Sequence, residues 1–454
     1  MRLRPDGKPD RIGPRPTGSG RTRALVVHPE RSDEPGSLSA RTAETRLEEA
    51  RGLAHAIDLD VVEAIIVPLR QPRPATLFGQ GKVAEIGELA STLEIDLVIV
   101  NGAVSPIQQR NLEKAWNTKV LDRTGLILEI FGERAATKEG RLQVELANLT
   151  YQRSRLVRSW THLERQRGGT GFLAGPGETQ IEADRRQIAE RISRVKSELA
   201  LVTRTRKLHR KARRRVPYPI LALVGYTNAG KSTLFNRLTS ASVTAKDLLF
   251  ATLDPTMRAL ALPGGAPVIL SDTVGFISDL PTDLVAAFRA TLEEVEEADI
   301  ILHVRDIAHP ESDEQRMDVL NVLKQLGIDA ESGAGIIEVW NKADRLDDET
   351  RARLSTRAQR TPGVCLVSSL TGEGIDTLLD LLARTLAARR EAIDIVVQPE
   401  EGQLLAWLHE RGVIVQRETL ESGATRLKVL LDPENLGRLD GLLAQLHASG
   451  KEAR

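Results

Sequence analysis

Ile220-Leu221-Ala222-Leu223-Val224 runs directly into Gly225-Tyr226-Thr227-Asn228-Ala229-Gly230-Lys231-Ser232, and Thr233-Leu234-Phe235-Asn236-Arg237-Leu238 follows. A short apolar run, a glycine-bearing loop and a helical pattern read as buried strand, phosphate loop and helix. The loop has the form G-x-x-x-x-G-K-S. Its glycines let backbone N–H groups turn toward phosphate oxygens at a helix N-terminus. In that setting Lys231 reaches the terminal phosphates and the Ser232 hydroxyl ligates Mg²⁺.

Three further boxes follow in order. Val268 to Ser271 reads as a second strand ending in Asp272-Thr273-Val274-Gly275. An aspartate at a strand's carboxyl end holds the magnesium shell, and the Gly275 N–H senses a γ-phosphate. Asn341-Lys342-Ala343-Asp344 ends the apolar run Ile336 to Trp340. Asp344 can accept two hydrogen bonds from the N1–H and exocyclic amine of guanine, a pair adenine lacks. A buried carboxylate left unpaired is costly, so the box selects GTP over ATP. Ser368-Ser369-Leu370 follows the strand-like Val364 to Val367, and its backbone closes over the base. Four boxes in this order specify an α/β P-loop GTPase domain.

Outward from this domain the chain divides into five stretches. Residues 1–22 are rich in Arg, Gly and Pro and read as a disordered basic tail. Residues 23–135 alternate strands (24–27, 61–69, 97–100) with helices (39–56, 82–93), and Ser105-Pro106 opens another helix to about Trp116. That rhythm predicts an α/β domain with a parallel sheet. Residues 136–215 carry two apolar seams: Leu142, Leu146, Leu149 and Leu156, then Ile188, Ile192, Val195, Leu199 and Val202. They predict an antiparallel helical hairpin, its tip the glycine-rich 168–177, which no helix should tolerate. A helix over 181–203 would reach roughly 35 Å as a projecting arm. The GTPase domain spans 216–390, and 391–454 reads as a small C-terminal α+β domain.

Composition sets the outer limits. The 454 residues are 41% hydrophobic, 28% charged and 3% aromatic, with 63 basic and 63 acidic residues. A net charge of zero excludes a histone-like polycation, so any nucleic-acid footprint is local. Residues 204–215 hold eight Lys or Arg and no acid. Beside the arm they suggest phosphate contacts, with Arg213, Arg214 and Arg215 as candidates for touching RNA. A solvated helix face is the alternative. Scarce aromatics argue against base stacking. The single Cys365 excludes an intrachain disulfide. It and His303 read as core residues, the histidine with its hydrogen bonds satisfied. No apolar run approaches the ~18 residues of a membrane span, and there is no secretory signal. The expectation is a soluble cytoplasmic protein. Phe78-Gly79-Gln80-Gly81-Lys82 reads as a turn before a helix, or as a second nucleotide or RNA contact.

Phe250-Ala251-Thr252-Leu253-Asp254-Pro255-Thr256 resembles the switch I segment of the Obg–HflX branch of GTPases. Arg123 to Phe131 (RTGLILEIF), Leu142 to Ala147 (LQVELA) and Gly175 to Arg186 (GPGETQIEADRR) resemble the HflX family signature. The resemblance covers about residues 25–450. It implies a ribosome-associated GTPase that binds the large ribosomal subunit and separates or rescues stalled ribosomes under stress. A nucleotide-gated assembly factor that binds subunit precursors is the second reading. The resemblance makes Thr252 the switch I magnesium ligand, so Lys231, Thr252 and Gly275 are the residues expected to act at the reacting phosphate. Phe250 to Asp254 join the GTP-binding set. It also implies ATP use, although no clear second site stands in the sequence. A monomer is expected.

Two departures from common GTPases matter. Phe276 stands where Ras-like proteins place a water-orienting Gln, and an apolar ring cannot orient water. Slow intrinsic turnover, stimulated by a partner or a cation, is the consequence. Asn228 resembles the asparagine that holds a monovalent cation in potassium-stimulated GTPases, which adds K⁺ to Mg²⁺; support of the loop by its own hydrogen bonds is the alternative. Leu370 replaces the common Lys of the guanine-closing box.

Overall fold

The structure is a computed structural model. It describes residues 21–31, 42–166, 176–213, 218–239, 249–250, 252–253, 255–264, 267–278, 294–328, 335–420, 422–431, 435–439 and 442–443. Residues 157–166, 176–181, 205–213 and 413 are described by backbone alone.

The N-terminal unit is a four-stranded parallel sheet ordered β2-β1-β3-β4. Its elements are β1 (Arg23–Arg31), α1 (Ala43–His55), β2 (Asp60–Leu69), α2 (Gln80–Thr92), β3 (Leu97–Val100), α3 (Pro106–Trp116), β4 (Lys119–Asp122) and α4 (Arg123–Arg134). Leu97, Val98, Ile99 and Val100 are all buried, as a parallel strand covered on both faces demands. Each contributes about 1.5–3 kcal/mol of apolar burial. Ser105 caps α3 as expected, with Gln108 closing a reciprocal capping box. The Phe78–Lys82 segment is a turn into α2, with Gly79 at its N-cap and Phe78 fully buried.

The arm is α5 (Lys138–Gln166) and α6 (Pro176–Arg213). The expected seams meet: Leu142, Leu149, Ile192 and Val195 form one core, flanked by Leu146, Ile188, Leu199 and Val202. The expected extent is corrected. Helix α6 has 38 residues, about 57 Å at the α-helical rise, and it includes Gly177 of the supposed tip. Pro176 starts it, at the first helical turn where a missing N–H costs nothing. Residues 168–175, the rest of the tip, lie outside the described residues, as do 1–20 of the basic tail.

The GTPase unit is a six-stranded sheet ordered β10-β9-β8-β5-β7-β6. Its elements are β5 (Ile220–Gly225), α7 (Lys231–Thr239), β6 (Thr256–Leu260), β7 (Val268–Asp272), β8 (Ile300–Asp306), α8 (Ser312–Gln325), β9 (Ile336–Asn341), α9 (Asp348–Arg360), β10 (Val364–Leu366) and α10 (Ile375–Ala388). All pairs are parallel except β6 on β7. The phosphate loop, Asp272, Asn341 and the 368–370 box therefore all leave the carboxyl edge of one sheet, where open α/β folds bind ligands. The C-terminal unit is an antiparallel sheet ordered β11-β13-β12, built from β11 (Glu391–Val397), β12 (Val413–Thr419) and β13 (Thr425–Leu431), with α11 (Gly402–Arg411) against it.

Cys365 is buried and free, and burial pushes its thiol up to about 11. His303 is also buried, but its Nδ1 has no partner among the described residues, which corrects the expectation of a satisfied histidine. Burial holds its pKa at about 3, so the ring stays neutral and tolerates an apolar strand environment.

Candidate nucleotide-binding site

The loop geometry explains its glycines. Gly225 has φ +153°, and a Cβ there would lie 2.2 Å from the Val304 carbonyl oxygen. Gly230 has φ +94°, and a Cβ would lie 2.3 Å from Asn341 Nδ2. Both approaches are too close for any side chain. Lys231 is buried and donates from Nζ to the carbonyls of Gly225 (3.0 Å) and Tyr226 (2.8 Å). Burial holds its pKa down at about 8, against the upward pull of Asp272.

Three oxygen donors converge beside it. Ser232 Oγ donates to Asp272 Oδ2 at 2.8 Å, Thr252 Oγ1 donates to the same atom at 3.0 Å, and the two hydroxyls are 2.9 Å apart. Asp272 is fully buried, and its Oδ1 has no partner among the described residues. Burial raises its pKa, opposed by Lys231 and the two hydroxyls. Two hydroxyls and a half-unsatisfied carboxylate are hard oxygen donors and fit Mg²⁺. Among the described residues no cluster of three or more His, Cys, Asp or Glu offers another metal site.

Phe276 continues the loop after Gly275 as a short bridge: Phe276 N–H donates to the Gly225 carbonyl at 3.1 Å and Thr227 N–H to the Phe276 carbonyl at 2.7 Å. The Phe276 ring is buried in the core. A Cβ on Gly275 would sit 2.9 Å from Thr227 Cγ2, so only glycine brings this backbone N–H up to the phosphate loop.

The guanine side is built by hydrogen bonds. Fully buried Asn341 donates from Nδ2 to the Ala229 carbonyl (2.9 Å) and accepts at Oδ1 from Ser369 N–H (3.0 Å). It ties the phosphate loop to the base-closing loop. Ser368 Oγ donates to Asp344 Oδ1 at 2.5 Å and fixes that carboxylate. Lys342, at φ +65°, pairs with Asp306 at 2.7 Å. Arg237 donates to the carbonyls of Ser369 (3.1 Å) and Leu370. The Leu370 side chain is 70% exposed.

Four families match consecutive parts of the chain. "GTP-binding GTPase N-terminal" matches residues 44–132, "GTP-binding GTPase Middle Region" 134–213, "50S ribosome-binding GTPase" 220–342 and "HflX C-terminal domain" 353–453. The chain is 51% identical to GTPase HflX of Magnetococcus marinus over 87% of its own length and 90% of that protein. It is 43% identical to GTPase HflX of Escherichia coli K12 over 84% of this chain and 89% of that one. The chain belongs to the HflX GTPase family. It is a GTPase, with a domain of the ribosome-binding kind. The solved structure of SsGBP with GDP is similar over 80% of this chain and 98% of that one, at 24% identity and a TM-score of 0.46.

In this HflX-family chain some expected site residues bury their side chains in the core. Phe250 and Leu253, expected in the GTP-binding set, bury their side chains in a core shared with the N-terminal unit. Phe250 meets Phe131 of α4 edge-on, centroids 4.8 Å apart. Val274 and the Tyr226 ring join the same core. Ala251, Asp254, Arg214 and Arg215 lie outside the described residues, and Arg213 is the backbone end of α6. Asn228 is exposed, at φ +60°. The sequence reading missed Glu49, Arg123 and Ser278 as neighbours of the site. Arg123 stood in a quoted signature, but no spacing rule ties it to a box far along the chain.

Proposed function

We propose that this chain is a GTP-driven switch that binds the large ribosomal subunit and acts in ribosome splitting or rescue. The observation that carries the reading is the convergence of Ser232, Thr252 and Asp272 beside Lys231, on a GTPase sheet that shares a buried core with the first helix of a long two-helix arm. A GTPase used only to hydrolyse GTP has no need of such an arm.

In this reading Ser232 and Thr252 hold Mg²⁺ and Asp272 orients its shell. Held by these residues, Mg²⁺ would supply positive charge against the phosphates. Lys231 exchanges its two backbone carbonyls for phosphate oxygens, which favours its charged form. The Gly275 N–H donates to the γ-phosphate. Backbone N–H groups of 228–232 face the phosphates, and Asp344, aimed by Ser368, reads the guanine edge. No side chain among these is a general base, because Phe276 is apolar and buried. Turnover is therefore slow alone and rises on the ribosome. Asn228 supplies an amide oxygen for K⁺ at the phosphates. GTP turnover of the wild type and Asn228→Ala in potassium and in sodium tests this; equal wild-type rates in both salts sink it.

The protein works as a cytoplasmic monomer. No described helix is long and apolar enough to cross a membrane. Arg213, Arg214 and Arg215 contact ribosomal RNA phosphates. Changing all three to Ala should flatten the salt dependence of subunit binding by about 0.7–0.9 in log–log slope per lost contact. An unmoved slope assigns them to a solvated face. Cosedimentation with mature large subunits and with subunit precursors separates the splitting or rescue reading from the assembly-factor reading.

A further inference from the structure

Asp122 and Arg123 are adjacent, both buried, and face opposite ways. Arg123 reaches the GTPase unit. Its Nη2 donates to Glu49 Oε1 (2.5 Å), to the Ser278 carbonyl (3.0 Å) and to Ser278 Oγ (3.1 Å). Ser278 Oγ donates to Glu49 Oε1 at 3.0 Å. The Tyr226 hydroxyl, from the phosphate loop, donates to Glu49 Oε2 and accepts the Ser278 N–H at 2.9 Å. One buried ion pair of the N-terminal unit thus holds a phosphate-loop side chain and the backbone three residues past Gly275.

Asp122 reaches the arm. Its Oδ1 accepts from Tyr151 Oη (2.5 Å) and caps α4 through Gly125 N–H (2.9 Å). Its Oδ2 accepts from Arg155 Nη2 at 2.5 Å. Arg155 also donates to Gln109 and to the Val104 carbonyl (3.3 Å), with its guanidinium 4.3 Å from the Tyr151 ring centroid. Both Tyr151 and Arg155 stand on α5. Further along α4, Phe131 carries Phe250 of switch I. Helix α4 therefore touches switch I, the segment that follows Gly275, and the arm.

We infer that the Asp122–Arg123 pair and α4 couple the nucleotide state of the switches to the angle of the helical arm. The inference rests on the proposed reading of Gly275 as the γ-phosphate sensor. Three peptide units join Gly275 to Ser278, and the intervening Phe276 and Ile277 are buried. A shift of Gly275 toward a γ-phosphate is thus passed to Ser278, because close-packed interiors transmit displacement. Ser278 N–H, carbonyl and hydroxyl are all held by Tyr226, Arg123 and Glu49, so the shift must move α4 or break buried hydrogen bonds, two of them from a guanidinium. Leaving such groups unpaired is costly. Because Asp122 is the N-cap of the same helix, its movement carries Tyr151 and Arg155. By linkage, a change on the arm must feed back on nucleotide affinity.

The test uses the full chain with spin labels at Leu201→Cys on α6 and Met317→Cys on α8. Both positions are exposed, 66% and 52%, while Cys365 is buried. Label separation is measured by pulsed electron resonance with GDP and with a non-hydrolysable GTP analogue, each with Mg²⁺. In the labelled parent the two distance distributions should differ. Arg123→Gln, Arg155→Gln and the conservative Tyr151→Phe should each merge them. Arg155→Gln should also change the analogue-to-GDP affinity ratio by about five-fold or more, although it lies on the arm. Distributions that do not differ in the parent, or that still differ in all three variants, overturn the inference. No ribosome enters the assay, so a failure of subunit binding leaves the result unaffected. Nucleotide affinity measured on the same samples shows separately whether the site itself has failed.

Discussion

Asn341→Ala is the most informative change in the guanine site. Asn341 is fully buried and spans two loops, with Ala229 on one side and Ser369 on the other. Alanine removes both partners and leaves a buried carbonyl and a buried N–H unsatisfied. Each such orphan costs about 1–3 kcal/mol. With partial relief by water, the pair costs about 2–4 kcal/mol. The loss falls on the assembly of the two loops around the nucleotide, so it appears as affinity. At about 1.4 kcal/mol per decade, GDP and GTP should bind roughly 30- to 1000-fold more weakly. Titration with a fluorescent guanine nucleotide measures this, with a thermal melt of the same sample to show that the sheet is intact. A loss below about three-fold in a folded protein would refute the bridge as the element that holds the site together.

Other outcomes follow from the same geometry. Asp344→Asn should shift preference from GTP toward xanthosine triphosphate, because the amide replaces an acceptor with a donor; an unchanged affinity ratio contradicts the role given to Asp344. Arg237→Ala frees the carbonyls of Ser369 and Leu370, so KM for GTP should rise several-fold while kcat at saturation holds; a fall in kcat alone would contradict this. Acid stability has two steps. His303 has its pKa depressed from 6.5 to about 3, so the unfolded chain binds the extra proton first and stability falls as pH drops below 6.5. Glu338, held at about 2 by Trp340, Arg316 and Arg305 against its burial, adds a loss that starts only below about 4.5. His303→Leu should therefore flatten the melting temperature between pH 6.5 and 4.5 and leave the steeper loss below it; an unchanged profile in the upper window rules out His303 as its source.

The GTPase site was legible because its chemistry is local. Each box sits at the end of an apolar strand run, and the parallel order of β5, β7, β8 and β9 brings those ends together. The arm was legible through its leucine and isoleucine seam, but its length was not. Proline and glycine at 176–177 read as breakers, yet the first turn of a helix tolerates both. Strand β4 and helix α4 were not read as elements, because Lys119–Asp122 is short and α4 carries a run of buried residues from Gly125 to Leu128, which blurs its period. Phe250 and Leu253 were assigned to the nucleotide because they flank Thr252. Yet Phe250 stands in the left-handed region at φ +55°, which breaks any strand-like alternation, and both side chains enter the interdomain core. The Glu49–Arg123–Ser278 contact joins residues far apart in sequence, and no local rule reports such a meeting.

The central claim, a nucleotide-gated grip on the large subunit, is tested most directly by cosedimentation of the full chain with purified large ribosomal subunits. Binding should be tight with a non-hydrolysable GTP analogue and weaker with GDP, and GTP turnover should rise when subunits are added. Binding that ignores the nucleotide, together with turnover that ignores the subunit, would contradict it.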